Sequence, residues 1–205
     1  MSSQVEEYFK AVQEGDVDKA KTFLDAGVDV NIQYSIPAKR LNGSEFLWKC
    51  SALMYTSRYG FESLVSFLLS QDHIDVNAQD GNGSTALILA AAVGNGQIIR
   101  QLLHYDGIDV NCGNFTPLYH AAKYGQTEAL EMLLNDDKID VSVKSSYNGT
   151  AFEVAAANGH IGVLKALLDD NMVDQTFLNE NIPKILAQGI QPWTLRHCTN
   201  DSRRF

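Results

Sequence analysis

The side chains in this sequence able to do acid–base, nucleophilic or metal chemistry are few and scattered. The five histidines are His73, His104, His120, His160 and His197, and the three cysteines are Cys50, Cys112 and Cys198. None of them pairs with another at metal-ligand spacing, so no metal site and no catalytic residue is read from the chain. Asp80-Gly81-Asn82-Gly83 has the look of a calcium loop but lacks the glutamate that closes one. There is no glycine-rich phosphate loop and no nucleophile elbow. The remaining chemistry is that of binding. Arg58-Tyr59 and Lys123-Tyr124 each set a cation beside an aromatic ring, and Trp48, Phe115 and Tyr147 add large amphipathic or apolar surfaces. Tyr, Trp and Arg dominate binding hot spots because they bury much area and carry a polar handle.

The elements that hold these residues are repeats. Leucine pairs at Leu68-Leu69, Leu102-Leu103, Leu133-Leu134 and Leu167-Leu168 recur at intervals of 34, 31 and 34 residues. Eight residues before each pair stands a glycine (Gly60, Gly94, Gly125, Gly159), and seven before that a large apolar residue (Leu53, Leu87, Leu118, Phe152). Small residues follow that apolar position, as in Ala90-Ala91 and Ala121-Ala122, and let neighbouring helices approach closely. The glycine ends the first helix in the left-handed conformation. A second helix carries apolar pairs four residues apart, Ile98-Ile99 with Leu102-Leu103 for example, which makes one buried stripe. Between units lie Asn- and Gly-rich turns that read as projecting fingers. A unit of this size cannot bury its own apolar face, so the units must stack.

Thr116-Pro117-Leu118-Tyr119-His120-Ala121-Ala122-Lys123-Tyr124-Gly125 is similar to the TPLHxAAxxG signature of ankyrin repeats. Ser84 to Ala91 and Gly149 to Ala156 are looser copies, and the downstream leucine pairs and Asp-Val-Asn elements complete the resemblance over about residues 4 to 174. It implies an all-α ankyrin solenoid of helix–turn–helix units joined by β-turn fingers. Residues 1–174 are then five repeats, at approximately 4–31, 46–79, 80–111, 112–144 and 145–174. An inserted long finger falls at 32–50, because 22 residues separate Asn31 from Leu53 where 10 separate Asn77 from Leu87. Only 7 separate Asn111 from Leu118, so the third finger is clipped. Glu6, Glu7, Lys10 and Glu14 give the first unit the polar outer face of a terminal cap. Residues 175–205 are expected to form a capping helix followed by a polar tail.

The resemblance also implies a concave groove lined by the fingers and by the two positions before each landmark glycine. Trp48, Arg58, Tyr59, Phe115, Lys123, Tyr124 and Tyr147 are therefore the candidate partner-binding residues. For Trp48, Phe115 and Tyr147 the alternative is packing against a neighbouring finger. Asn31, Asn77 and Asn111 occupy the position that in many ankyrin proteins is a target of an asparaginyl hydroxylase; hydrogen bonding inside the finger is the structural alternative. His160 falls where such repeats carry a structural histidine, and His120 is expected to be a hydrogen-bonded interior group.

These readings make the protein a non-enzymatic interaction module, an adaptor, inhibitor or effector, holding an extended acidic or apolar segment of another protein. The competing class is an enzyme using the 32–50 insert or the C-terminal segment, neither of which holds a reactive set. The net charge of -9 argues against nucleic-acid binding, which needs a basic face. The opening MSSQVEEYFKAVQ has acids where a leader would have bases, and no apolar run spans a bilayer. A monomer without cofactor in the reducing cytoplasm is expected, delivery into a host cell being compatible with it.

Overall fold

The computed structural model describes residues 2–39, 44–113, 115–144 and 149–169. Within them the chain forms five antiparallel helix pairs: α1 (Ser2–Glu14) with α2 (Val17–Asp25), α3 (Ala52–Tyr59) with α4 (Glu62–Leu69), α5 (Ala86–Val93) with α6 (Gly96–Leu103), α7 (Pro117–Tyr124) with α8 (Thr127–Leu134), and α9 (Ala151–Asn158) with α10 (Ile161–Asp169). The inner helices α3, α5, α7 and α9 pack in sequence against one another, and the outer helices α4, α6, α8 and α10 form a second row. The expected capping helix at 175–205 lies outside the described residues, as does Tyr147.

Each inner helix is bounded by the residues that mark it in the sequence. Ser51, Thr85, Thr116 and Thr150 are N-caps whose hydroxyls accept from the backbone N–H three residues on. Pro117 adds its preset φ at the first turn of α7. The four landmark glycines close the inner helices with φ between 71° and 80°, the left-handed cap that a side chain would strain. The core runs unbroken along the stack. Leu53, Leu87, Leu118 and Phe152 are fully buried, and so are Leu68, Leu102, Leu133 and Leu167. At about 25 cal/mol per Å² of apolar area, each contributes roughly 2–3 kcal/mol.

Two hydrogen-bond ladders tie the units together. In the first, the residue after each of the last three glycine caps reaches back to the preceding inner helix. Asn95 donates to the Ser57 carbonyl (2.8 Å), Gln126 to Ala92 (3.3 Å) and His160 Nε2 to Lys123 (3.0 Å). His160 is thus a structural histidine. In the second, Asn31, Asn77 and Asn111 each bridge to the next finger. Their amide nitrogens donate to the carbonyls of His73, Gly107 and Lys138, and their oxygens accept from the amides of Asp75, Asp109 and Asp140. The bonds run between fingers rather than inside one, because each Asp-Val-Asn turn already satisfies itself through the aspartate, as where Asp75 accepts from the Asn77 amide. Asn77 therefore has both ends of its amide free for a neighbour.

His73 stands in the second rung with φ 62°, where the next unit has Gly107 at φ 82°. A left-handed backbone costs an L-residue about 1 kcal/mol or more. His73→Gly is expected to raise the unfolding free energy by up to about 1 kcal/mol, after subtracting the added freedom of the unfolded chain. Urea denaturation measures it, and a lower midpoint in the variant would refute the strain.

The long first finger is the one β element among the described residues: β1 (Gln33–Lys39) and β2 (Glu45–Ser51) form an antiparallel hairpin in which Ile36 faces Trp48 and Pro37 faces Leu47. Its alternation is amphipathic. Ile36, Trp48 and Cys50 are buried on one face, with Tyr34 and Phe46 half-buried, while Ser35, Pro37, Leu47 and Lys49 are exposed on the other. The clipped third finger packs tightly onto the second. A Cβ at Gly113 (φ 110°) would lie 2.6 Å from Ile88 Cδ1 and 2.7 Å from the Gly83 carbonyl oxygen, so only glycine fits.

Candidate functional site

The inner helices present their last turns to one face, and the hairpin stands along it as an arm. Between them lies a groove of about 370 Å³. Phe46 and Trp48 on β2 form one wall, Asp80, Asn82 and Ser84 of the second finger form another, and the floor is built from α3, α5 and α7. Register explains the floor. Arg58-Tyr59, Ala92-Val93 and Lys123-Tyr124 all immediately precede a glycine cap, so helical geometry turns each pair the same way. Tyr59, Val93 and Tyr124 are 52%, 40% and 48% exposed, an unusual degree for large apolar side chains beside a packed core.

Two polar contacts join the arm to the second finger: Gln33 Nε2 of β1 donates to the Gln79 carbonyl at 2.8 Å, and Trp48 of β2 reaches Asp80. The Trp48 indole N–H donates to Asp80 Oδ2 at 2.9 Å, and Asp80 Oδ1 accepts from the backbone amides of Asn82 and Ser84, both at 2.8 Å. The Asp-Gly-Asn-Gly stretch is therefore a turn closed on its own aspartate, with the second carboxylate oxygen given to the arm. Trp48 is only 7% exposed. Its edge lines the groove, but its body is packing.

Two aromatic clusters flank the groove. At the α3 end, Trp48, Tyr55 and Tyr59 follow one another with centroids 6.3 Å and 4.4 Å apart, and the Arg58 guanidinium lies 5.7 Å from the Trp48 ring centre. At the α7 end, Phe115 meets His120 edge-on at 5.5 Å, His120 lies 5.9 Å from Tyr124, and the Lys123 ammonium lies 5.6 Å from the Tyr124 ring. Both contacts are within cation–π range. Between the clusters α5 offers only Leu89, Ala92 and Val93. Phe115 is half-buried against Tyr119 and His120.

His120 departs from expectation. It was to be hydrogen-bonded, yet its buried Nδ1 has no partner among the described residues. It packs between rings instead of polar groups, and burial, helped by the nearby Lys123 charge, pushes its pKa down to about 4 against the opposing pull of Asp80. It is a neutral imidazole near neutral pH. Cys50 is likewise unfit for nucleophilic work, since burial and then the Asp80 charge push its thiol up to about 12. No cluster of three His, Cys, Asp or Glu able to hold a metal occurs among the described residues. No helix among them is long and apolar enough to cross a membrane.

Of the candidates named from sequence, Arg58, Tyr59, Tyr124 and Trp48 line the groove, Lys123 and Phe115 adjoin it, and Tyr147 is outside the described residues. Sequence reasoning missed Phe46, Tyr55 and Asp80. The alternation of Phe46, Trp48 and Cys50 was a strand signal, and a buried indole requires an acceptor. Tyr55 carried no comparable signal.

Comparison with known proteins agrees with this architecture. The family model for ankyrin repeats (3 copies) matches residues 8–114 and 110–179. Protein phosphatase 1 regulatory subunit 12A of Mus musculus is 36% identical over 90 residues, 42% of this chain and 9% of that protein. The photoreceptor ankyrin repeat protein of Homo sapiens is 32% identical over 96 residues, 46% of this chain and 19% of the relative. Alpha-latrocrustotoxin-Lt1a of Latrodectus tredecimguttatus is 31% identical over 117 residues, 56% and 8% respectively. The matches thus span less than a fifth of these relatives' lengths. With both halves of its helical stack matched by the family's own model, the chain belongs to the ankyrin repeat family.

Proposed function

We propose that this protein is a non-enzymatic binding module, an adaptor, inhibitor or effector, that seats an extended segment of a partner protein in the groove between the hairpin arm and the inner helices. The observation that carries the reading is the exposure of Tyr59 and Tyr124 at equivalent positions on either side of an apolar floor. Such rings form rigid anchors at low cost in conformational entropy. The family supports protein binding in general; the location of the partner is our own reading. Asn31, Asn77 and Asn111 are accounted for by the ladder between fingers without hydroxylation.

Tyr59→Ala combined with Tyr124→Ala tests it. Both side chains are half-exposed, so the thermal midpoint should hold, while affinity for a groove-bound partner falls by about 100-fold, the scale of two hot-spot truncations. Quantitative pull-downs with the wild type and the double variant should yield proteins that only the wild type retains. If both retain the same set, the partner does not use this groove.

A further inference from the structure

The geometry points to an occupant of one chemical class: an extended peptide segment with an acidic residue toward each end and an apolar residue between them. This rests on the groove reading above and deepens it. Charge complementarity carries it. The protein is acidic overall, at -9, yet Arg58 lines one end of its groove, Lys123 adjoins the other, and the one carboxylate in the described lining is Asp80. Arg58 and Lys123 each lie over an aromatic ring, and neither has a carboxylate partner among the described residues. Asp80, the carboxylate that lines the groove, is already committed to three N–H donors. His120 is held neutral and adds no charge. A cation resting on a ring keeps most of its charge for a third group, and a carboxylate arriving there gains more than it would in open water.

The middle of the groove has the opposite character. Leu89, Ala92 and Val93 of α5 offer no hydrogen-bonding side chain, so a polar residue seated on that floor would lose water with no compensation from the helix beneath it. Spacing then follows from the stack. Neighbouring helices pack about 8–10 Å apart, so Arg58 on α3 and Lys123 on α7, two intervals apart, stand about 16–20 Å from one another. An extended chain rises about 3.3 Å per residue, which puts the two acids five or six positions apart with the apolar residue midway.

An array of synthetic peptides of about seven residues tests this, with Glu, Gln or Lys at each end and Leu, Phe, Ala or Ser at the centre, probed with the full chain. Peptides with Glu at both ends and Leu or Phe at the centre should bind about tenfold more tightly than their Gln counterparts, two exposed ion pairs supplying that much. The preference should shrink as salt rises. Arg58→Gln with Lys123→Gln should abolish the Glu-over-Gln preference, the thermal midpoint being unchanged because both side chains are exposed. Binding without acid preference that is lost in the tyrosine double variant would overturn the charge assignment and leave the groove reading standing. Binding that survives in the tyrosine variant, or none by any peptide, would overturn both.

Discussion

Asp80→Ala is expected to lower the unfolding free energy by about 4 kcal/mol and to loosen the arm over the groove. The side chain is 8% exposed and accepts three N–H donors, the Trp48 indole and two backbone amides of its own turn. Truncation strands all three, and each buried donor left unmet costs about 1–3 kcal/mol, with part recovered where water reaches the turn. The loss divides unevenly in space. The two amides belong to the second finger, and the indole belongs to the arm, so β2 loses its tie to the next repeat while Gln33 of β1 keeps its bond to the Gln79 carbonyl. Asp80→Asn, which keeps an acceptor oxygen, should cost about half as much. Urea denaturation gives the first number, and hydrogen exchange across residues 33–39 gives the location. Unchanged amide protection in the hairpin would show that the Trp48 contact is incidental.

The second large effect concerns acid. His120 carries a pKa of about 4 in the folded protein against an ordinary 6.5, so between these values the unfolded chain holds a proton that the folded chain does not. Stability from this group is therefore complete above pH 6.5 and is lost as pH falls toward 4. At about 1.4 kcal/mol per unit the whole window amounts to roughly 3 kcal/mol, of which about 2 kcal/mol is gone by pH 5. His120→Leu removes the titration and the unpaired Nδ1 together, so it should be more stable at neutral pH and flatter with acid. Carboxylates titrating near the lower end act equally in both proteins, so the difference between the two unfolding curves at pH 7.5 and pH 5 isolates the histidine. Equal slopes would mean that the imidazole is hydrated in the folded state.

That histidine illustrates where sequence reasoning stops. Its register placed it on an inner helix among aromatic neighbours, but a string of letters cannot say whether a hydrogen-bonding group lies within three ångströms of a ring nitrogen. The finger asparagines are similar. Their recurrence was plain, and a structural role was read, but they bond across repeats, between residues 27 to 44 positions apart, which only the stacking interval determines. The insert could be counted as extra length. Its hairpin form depended on Ile36, Phe46, Trp48 and Cys50 alternating against one core, a period overshadowed by the helical one on either side.

By itself the sequence determined the repeat, its caps and which residues precede each cap. Leucine pairs, cap glycines and N-cap hydroxyls act within one or two helical turns, where local geometry leaves little freedom. Arg58-Tyr59 and Lys123-Tyr124 were located for the same reason, since two positions before a left-handed glycine always turn the same way. Tertiary structure alone decided that these pairs face one another across an apolar floor, that the insert forms a wall, and that Asp80 holds that wall in place. Those outcomes come from residues brought together by stacking, whose distances depend on how helices pack rather than on how far apart they stand in the chain.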